Sequence, residues 1–386
     1  MISLLTNIPF TIILFGNTIS KQFMEIRLRK YRTKLPNFFT HINKIWSVMT
    51  YDNAIDLGTS NTMVWVSGRG ILVKEPSVVA RHKKTKEILA IGSDARKMMG
   101  RTPANVEVIR PLRDGVIADF DAAEAMLKYY IKKVHETDSG FPKIPKPRIC
   151  IGIPSGVTEV ERRAVSDAVI SAGAREVNLI EEPMAAALGA GLKVEKAGGN
   201  FIVDIGGGTA EIAVISLGGV VVGRSIRVAG DEMNEAITNF VKLKYSLLLG
   251  DITSEDVKII LGSFVSAKEK FHVVRGRDLE TGLPKSIKLS SSEVREALVP
   301  VVQEIIANIV SILEETPPEL VSDIIQNGIT MAGGGSLIPG IDKLISENTK
   351  MPVMVADDPI TCVVKGCANL LGSPKLLSKI RITKGL

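Results

Sequence analysis

The sequence has few of the residues that build disulfide frameworks or histidine metal centres. Among 386 residues there are three cysteines and four histidines. Cys150, Cys362 and Cys367 form no CxxC pair, which excludes a disulfide scaffold and fits a reducing cytosol. The histidines are scattered along the chain, so we expect no histidine-based metal cluster.

The sequence also lacks the GxxxxGK[ST] pattern, so it is not a P-loop protein. The first apolar run, "ISLLTNIPFTIILFG", is interrupted by Pro9 and is shorter than the roughly 20 residues of a spanning helix. It has neither the preceding basic residues nor the small-residue cleavage site of a signal peptide. Two interpretations stay open: translation starts at Met1, or it starts at Met24 and the run is not part of the protein.

The positive charge is concentrated at the N-terminus. The chain has a net charge of +6, with 48 basic and 42 acidic residues. Residues 1–50 contain seven basic residues and one acidic residue, so the remainder is neutral. A nucleic-acid-binding protein usually has a basic surface on its folded body. We therefore expect no nucleic-acid partner and favour the anionic lipids of an inner membrane leaflet.

The segment "NFFTHINKIWSVM", residues 37–49, has the spacing of an amphipathic helix. A helix with aromatic residues on one face and basic residues nearby is typical of an interfacial membrane anchor. The alternative is a helix that packs on its own domain. The residues predicted to contact the membrane here are Phe38, Phe39, Ile42, Ile45 and Trp46.

A glycine turn between two apolar strands occurs twice. "FIVDIGGGTAEIAVIS", residues 201–216, has an aspartate, a glycine turn and a second strand, and "NAIDLGTSNTMVWVSG", residues 53–68, repeats this design. A third glycine turn lies in "ITMAGGGSLIPGIDKLI", residues 329–345. The repeated pattern predicts two similar α/β halves.

These turns predict a polyphosphate site. Glycine lets backbone N–H groups approach a charged ligand closely. Asp56 and Asp204, which stand at corresponding strand ends, could face the same point and hold Mg²⁺ through its water molecules. One "GGGT" turn is a weak signal, but two copies and a third glycine turn indicate nucleotide binding.

Several motifs resemble a known family. "IDLGTSNT", "EEPMAAALGAG", "VDIGGGTAEIAVIS" and "MAGGGSLIPG" stand in the order of the phosphate, connecting and adenosine motifs of the actin-like ATPase superfamily. "EPSVVA", "IRPLRDGVIADF" and "DDPITCVVKG" resemble the MreB family of bacterial actins in particular. The resemblance extends from about residue 42 to residue 372.

The resemblance implies an α/β, actin-like fold: two RNase H-like α/β domains with smaller inserted subdomains around a nucleotide cleft. Residues 1–50 would form an extension with the membrane helix. Residues 51–196 would form the first domain, with a small subdomain at about 74–115. Residues 197–354 would form the second, with a small subdomain at about 233–299, and residues 355–386 would return to the first.

The resemblance also assigns residues to ATP and Mg²⁺. Glu182 would orient or activate the attacking water, with Thr209 as its helper; an acid at a helix N-terminus also interacts favourably with the helix dipole. Asp56 and Asp204 would hold the metal through water. The predicted nucleotide-binding residues are Thr59, Ser60, Asn61, Gly206, Gly207, Gly208, Thr209, Glu255, Asp256, Val257, Lys258, Gly333, Gly334, Gly335 and Ser336.

The function implied is that of a filament-forming cytoskeletal ATPase on the inner face of the cytoplasmic membrane, which organises cell-wall synthesis and rod shape. Its expected partners are further copies of itself in paired, antiparallel protofilaments, anionic lipids and membrane proteins of cell-wall elongation. Phe141 and Ile144 lie in a loop where relatives insert apolar side chains into the membrane. Alternatives are a chaperone ATPase, a sugar or acetate kinase, and an adaptor that binds ATP but hardly hydrolyses it.

Overall fold

The computed structural model describes residues 50–136, 146–265, 268–373, 376, 380 and 383–384. The chain divides into two units, residues 1–49 and residues 50–386, and the description below concerns the second. The predicted membrane-contacting residues lie outside the described residues: Phe38, Phe39, Ile42, Ile45, Trp46, Phe141 and Ile144.

Two large sheets organise the described residues. The six-stranded sheet has the order β19 (Thr383–Lys384), β10 (Glu176–Glu181), β9 (Arg148–Ile153), β1 (Asn53–Leu57), β2 (Asn61–Val66) and β3 (Gly70–Pro76). The five-stranded sheet has the order β13 (Gly219–Ile226), β12 (Ala210–Ser216), β11 (Asn200–Ile205), β17 (Ile329–Ala332) and β18 (Val353–Val355).

The remaining elements are smaller sheets and the helices. One small sheet has β5 (Ile88–Ile91), β4 (Val79–His82) and β6 (Val106–Ile109), another has β14 (Leu247–Leu248), β15 (Phe271–Asp278) and β16 (Pro284–Ser290), and β7 (Leu112–Arg113) pairs with β8 (Val116–Ile117). The α-helices are α1 (Ser93–Met98), α2 (Phe120–Glu136), α3 (Glu159–Ser171), α4 (Glu182–Gly189), α5 (Gly230–Tyr245), α6 (Asp251–Leu261), α7 (Ser291–Glu315), α8 (Pro318–Asn327), α9 (Ile341–Thr349) and α10 (Cys362–Gly372). Two 3₁₀ helices are Gly334–Leu337 and Pro359–Thr361.

The two large sheets have the same topology. β1 pairs antiparallel with β2 and parallel with β9, and β11 pairs in the same way with β12 and β17. The outer strands β3 and β10 correspond to β13 and β18. The duplicated α/β design predicted from the glycine turns is therefore confirmed. The small sheets around β4 and β15 lie in the segments predicted as small subdomains, while the domain boundaries themselves stay a prediction.

Most residues of the central strands are apolar and buried, because helices pack on the sheets. In β12, every residue except Ser216 is buried, which is typical of a strand enclosed on both sides. Helix α7 begins with a capping box in which Ser290 and Glu293 satisfy each other's backbone N–H groups. Its apolar face packs against α5, β12 and β13, and α7 is also long and apolar enough to span a membrane by length and composition.

One apolar cluster of buried residues includes side chains of the helices α4 and α10, which cross in close contact. A Cβ atom added at Gly189 would lie 1.8 Å from the carbonyl oxygen of Cys362. A Cβ atom added at Gly366 would lie 1.8 Å from the carbonyl oxygen of Ala185. Each helix therefore uses a glycine to place its backbone directly against the other helix.

The substitution Gly366→Ala is expected to lower the free energy of unfolding by about 1–3 kcal/mol, because the added methyl group must push α4 and α10 apart. Urea unfolding followed by circular dichroism measures the change. Gly372→Ala is the matched control, since it lies in the same helix and its added Cβ would meet no atom within 4 Å. Equal destabilisation by the two substitutions would contradict the importance of the crossing.

Candidate functional site

A cavity of about 460 Å³ is lined by the ends of central strands from both large sheets. It brings together most of the residues predicted from the glycine turns and the resemblance. The predicted residues that line it are Asp56, Thr59, Ser60, Asn61, Glu182, Asp204, Gly206, Gly207, Gly208, Thr209, Glu255, Lys258, Gly333, Gly334 and Gly335.

The two phosphate-type turns meet across this cavity. A Cβ atom added at Gly207 would lie 2.1 Å from Ser60 Oγ, and one added at Gly208 would lie 2.7 Å from Thr59 Oγ1. Thr59 Oγ1 also accepts a hydrogen bond of 3.0 Å from the backbone N–H of Gly115. A side chain at either glycine would therefore force the opposite turn or its side chains to move.

The third glycine turn closes another side of the cavity. Gly333 has a φ of +77°, and a Cβ atom added there would lie 2.3 Å from the carbonyl oxygen of Ile205. This left-handed conformation and the short distance both favour glycine. Ser336 is buried beside this turn and donates a 2.7 Å hydrogen bond to the carbonyl oxygen of Gly333. Ser336 therefore shapes the turn and does not itself line the cavity.

Three carboxyl groups line the cavity floor. Burial raises the pKa of Asp56 to about 8, and the nearby Asp204 adds to this effect. Burial also raises the pKa of Asp204 to about 7. The pKa of Glu182 is raised well above its ordinary value by burial, then by the charges of Glu211, Asp56 and Asp204. A cation bound beside these side chains would favour their ionised forms, which burial and mutual repulsion disfavour.

The donor set fits a magnesium ion that keeps much of its hydration shell. Carboxylate oxygens are the hard ligands that Mg²⁺ prefers, and such an ion is usually held by one or two carboxylates together with water and substrate phosphates. Within residues 50–136, 146–265 and 268–373, no three acidic, histidine or cysteine side chains are grouped to hold a metal by themselves. Asp56 and Asp204 thus fit the predicted arrangement, in which they act through water.

Helix α6 supplies another wall, and here the structure corrects the sequence interpretation. Glu255 and Lys258 line the cavity, but Asp256 is exposed and Val257 is buried in the apolar core. One helical face presents residues three and four apart, so consecutive residues cannot all reach one site. The prediction that Asp256 and Val257 belong to the cavity is wrong, and Ile259 and Gly262 take those places on the wall.

Two contacts hold the α6 side chains in place. Lys258 Nζ donates a 2.7 Å hydrogen bond to the carbonyl oxygen of Gly230, and burial lowers the pKa of this lysine. Glu255 forms a 2.6 Å ion pair with Arg96 of helix α1. The cavity mouth is therefore bridged from helix α1 of one half to helix α6 of the other.

The sequence interpretation missed most of the apolar wall and one buried acid. The missed lining residues are Gly58, Met63, Gly115, Gly230, Met233, Ile259, Gly262, Leu337, Ile338, Pro339, Pro359, Ile360 and Val363. Glu211 does not line the cavity but is 1% exposed, and burial raises its pKa to about 7. A single acid within the apolar run of β12 was a signal that could have identified it.

Comparison with known proteins gives a consistent result. The family model described as "MreB/Mbl protein" matches residues 50–379. The cell shape-determining protein MreB of Escherichia coli K12 is 48% identical over 330 residues, which cover 84% of this chain and 94% of that protein.

Solved structures agree with the sequence comparison. MreB5 of Spiroplasma citri bound to ADP superimposes with a TM-score of 0.78 at 39% identity, covering 83% of this chain and 96% of that one. The same protein bound to AMPPNP gives a TM-score of 0.79 at 38% identity, covering 86% and 97%. The predicted actin-like fold is thereby confirmed, and the chain belongs to the MreB/Mbl family.

Proposed function

We propose that this chain is a cytoskeletal ATPase that forms filaments with ATP and determines cell shape. The observation that carries the proposal is that glycine turns from both large sheets line one cavity together with the carboxyl groups of Asp56, Glu182 and Asp204. A cavity of this kind suits a polyphosphate and its cation better than a neutral ligand. The name of the Escherichia coli relative and the nucleotides bound to MreB5 support the same function.

ATP would be held by backbone groups of the turns and by the wall of α6. The turns at Thr59–Asn61 and Gly206–Thr209 would hold the phosphates, and Glu255, Lys258 and the Gly333 turn would hold the nucleoside. Mg²⁺, when bound, would neutralise phosphate charge, with Asp56 and Asp204 holding its water molecules. The remaining chemistry depends on positioning a water molecule for attack on the terminal phosphate.

Glu182 is the residue proposed to orient and deprotonate that water. It begins α4 at the cavity floor, and a Cβ atom added at Gly152 would lie 3.2 Å from Glu182 Cγ, so the acid packs against β9. Its raised pKa makes it a better proton acceptor once it is ionised than an exposed glutamate would be. Thr209, which lines the same cavity, would help to hold the water.

The wider role in the cell is also part of the proposal. Filaments would be paired and antiparallel, would lie on the inner face of the cytoplasmic membrane, and would organise cell-wall synthesis with elongation membrane proteins. Residues 37–49 and the loop with Phe141 and Ile144 would contact anionic lipids. The two domains and their small subdomains would follow the boundaries expected from the sequence.

The substitution Glu182→Gln is expected to leave ATP binding within about threefold of the wild type and to slow hydrolysis by roughly 10²–10⁴-fold, the usual contribution of a general base. Fluorescent nucleotide titration measures binding, and chemical-quench single-turnover experiments measure hydrolysis. Glu181→Gln is the control, because Glu181 precedes α4 but does not line the cavity. A normal rate in Glu182→Gln would refute the assigned role.

Without nucleotide and divalent cations, the free energy of unfolding is expected to fall as the pH rises from 5 to 8. Carboxyl groups with a raised native pKa bind more protons in the folded chain than in the unfolded chain, so stability decreases with pH in this window. Asp56→Asn should raise the free energy of unfolding by about 2–4 kcal/mol more at pH 8 than at pH 5.

Urea unfolding in the presence of a chelator, at both pH values, measures this pH dependence. Asp256→Asn is the matched control, because Asp256 is exposed and lies outside the cavity, and it should follow the wild-type slope. If Asp56→Asn also followed the wild-type slope, the carboxyl cluster would not be a source of pH-dependent instability.

Electron microscopy of the full chain with ATP and Mg²⁺ on anionic vesicles tests filament formation and membrane binding together. We expect paired filaments on the vesicles, and fewer bound filaments for a version that starts at Tyr51. Single particles that still hydrolyse ATP would contradict filament formation. Equal binding of the two versions would contradict the proposed N-terminal anchor.

A further inference from the structure

A second cavity, of about 520 Å³, shares a wall with the nucleotide cavity and has a basic lining. Asn61 lines both cavities. Four other lining side chains are cationic, namely Lys74, Arg96, Lys97 and Arg101, and none of the described residues that line this cavity is acidic. We call it the basic pocket. The proposed function assigns it no role.

The basic pocket lies between the two halves of the described chain. Lys74 belongs to the edge strand β3 of the six-stranded sheet. Ser93, Arg96 and Lys97 stand three and four residues apart, so α1 turns them to one side. Ile252, on α6, lines the pocket from the other half. The pocket therefore depends on the approach of α1 and α6.

The positive charge of the pocket is only partly compensated. Arg96 forms the 2.6 Å ion pair with Glu255, and Lys97 forms a 2.9 Å ion pair with an aspartate of its own helix. Lys74 and Arg101 are exposed, and none of the ion pairs among the described residues includes either of them. Like charges that share a site repel one another, and an anion bound between them would remove this repulsion.

The side chains that line the pocket suit a phosphate ion. Arginine offers a planar fork of N–H donors and lysine a compact charge, and both form strong charge-assisted hydrogen bonds to phosphate oxygens. The reaction proposed for the neighbouring cavity produces inorganic phosphate. The pocket thus lies where a product of that reaction would meet cations.

A third, much smaller cavity of about 20 Å³ lies between the other two, and we call it the neck. Ser60 and Glu255 line both the neck and the nucleotide cavity. Pro76, Arg96 and Ile252 line both the neck and the basic pocket. A space of this size has room for about one water molecule, so a phosphate ion would pass only if the neck widened.

The neck is narrowed by side chains that form ion pairs between the halves. Arg96 and Glu255, which bind each other, both line it. Arg110 lines it too and forms a 2.9 Å ion pair with Asp231 of α5. Because partly exposed ion pairs are weak, they can separate without disturbing the core. Separation of the first pair would widen the neck and leave Arg96 free to bind an anion in the pocket.

We propose that the basic pocket is a binding site for inorganic phosphate, and that it receives the phosphate produced by ATP hydrolysis through the neck. The inference rests on the proposed ATPase function and deepens it. Binding in the pocket forms and breaks no covalent bond. Phosphate from solution has the same chemistry as the product, so two experiments are needed to separate the two sources.

The first experiment measures phosphate binding by ³¹P NMR relaxation of inorganic phosphate. Saturating AMPPNP and Mg²⁺ occupy the nucleotide cavity, and chloride keeps the ionic strength constant. The double variant Lys74→Ala/Arg101→Ala is expected to bind phosphate at least about tenfold more weakly than the wild type, because two charge-assisted contacts are lost.

Lys128→Ala/Lys242→Ala is the matched control for this experiment. It also removes two exposed cations, but neither residue lines the basic pocket. Its phosphate binding should equal that of the wild type. The phosphate site is overturned if the wild type does not bind phosphate, if the pocket variant binds it equally well, or if the control loses as much binding as the pocket variant.

The second experiment follows a single turnover of ATP. Chemical quench measures the phosphate formed, and a fluorescent phosphate sensor measures the phosphate released into solution. Release should lag behind hydrolysis in the wild type. In Lys74→Ala/Arg101→Ala the lag should shorten roughly 3–10-fold, because weaker binding mainly speeds dissociation, while the hydrolysis rate stays within about twofold. An unchanged lag, or no lag in the wild type, would overturn the role in product release and assign the pocket to phosphate from solution.

The outcomes separate this inference from the proposed function. If the wild type does not hydrolyse ATP, the proposed function and the release role both fail, and the first experiment still decides whether the pocket binds phosphate. If the wild type hydrolyses ATP and the pocket variant binds phosphate normally, only the inference is overturned. Circular dichroism establishes that each variant is folded. Should the double variant fail to fold, Arg101→Ala alone decides by the same comparisons.

Discussion

The backbone contact between α4 and α10 sets the geometry on which the cavity depends. Each helix presents a glycine to a carbonyl group of the other, at Gly189 and Gly366, so no side chain separates them. Helix α4 begins with Glu182 directly after β10, and α10 follows the 3₁₀ helix Pro359–Thr361. The crossing therefore fixes how far apart the two large sheets are at the cavity floor. A larger side chain at either glycine would push α4 and α10 apart. It would therefore displace both Glu182 and the part of the cavity wall next to α10.

This spacing forces carboxyl groups close to one another. Asp56 and Asp204 occupy equivalent strands of the duplicated sheets, so similar topology places both at one point. Because burial raises the pKa of both carboxyl groups, we expect the protein without a cation to be less stable at neutral pH than it would be with neutral side chains. Such a site is expected where binding a cation and a polyphosphate has to compensate for poor local stability. The raised pKa values and the proposed binding of a cation and a polyphosphate thus have the same cause, which is the close placement of the carboxyl groups.

The parts of the site that could be predicted from the sequence are those determined by short segments. A glycine turn after an aspartate can be identified within ten residues, and duplication of the turn indicated two halves that face each other. Asp256 and Val257 were wrongly included because the prediction assigned four consecutive residues, 255–258, to the cavity, whereas a helix turns only one face toward it. Which residues of α6 lie on that face depends on how the helix is rotated about its axis. Glu211 and the apolar wall were missed because their neighbours are distant in the chain, and only the folded structure brings them together.

Contacts between the two halves differ in strength from the mouth of the cavity to its floor. At the mouth, the ion pairs Arg96–Glu255 and Arg110–Asp231 are partly exposed, and such pairs contribute only about 0–1 kcal/mol each. At the floor, the crossing of α4 and α10 is packed among buried apolar residues. Motion that opens the mouth therefore breaks weak contacts, whereas motion at the floor would break close packing. The Ser155–Glu211 hydrogen bond lies between these extremes, because it joins the two sheets and is shielded from solvent on the side of Glu211.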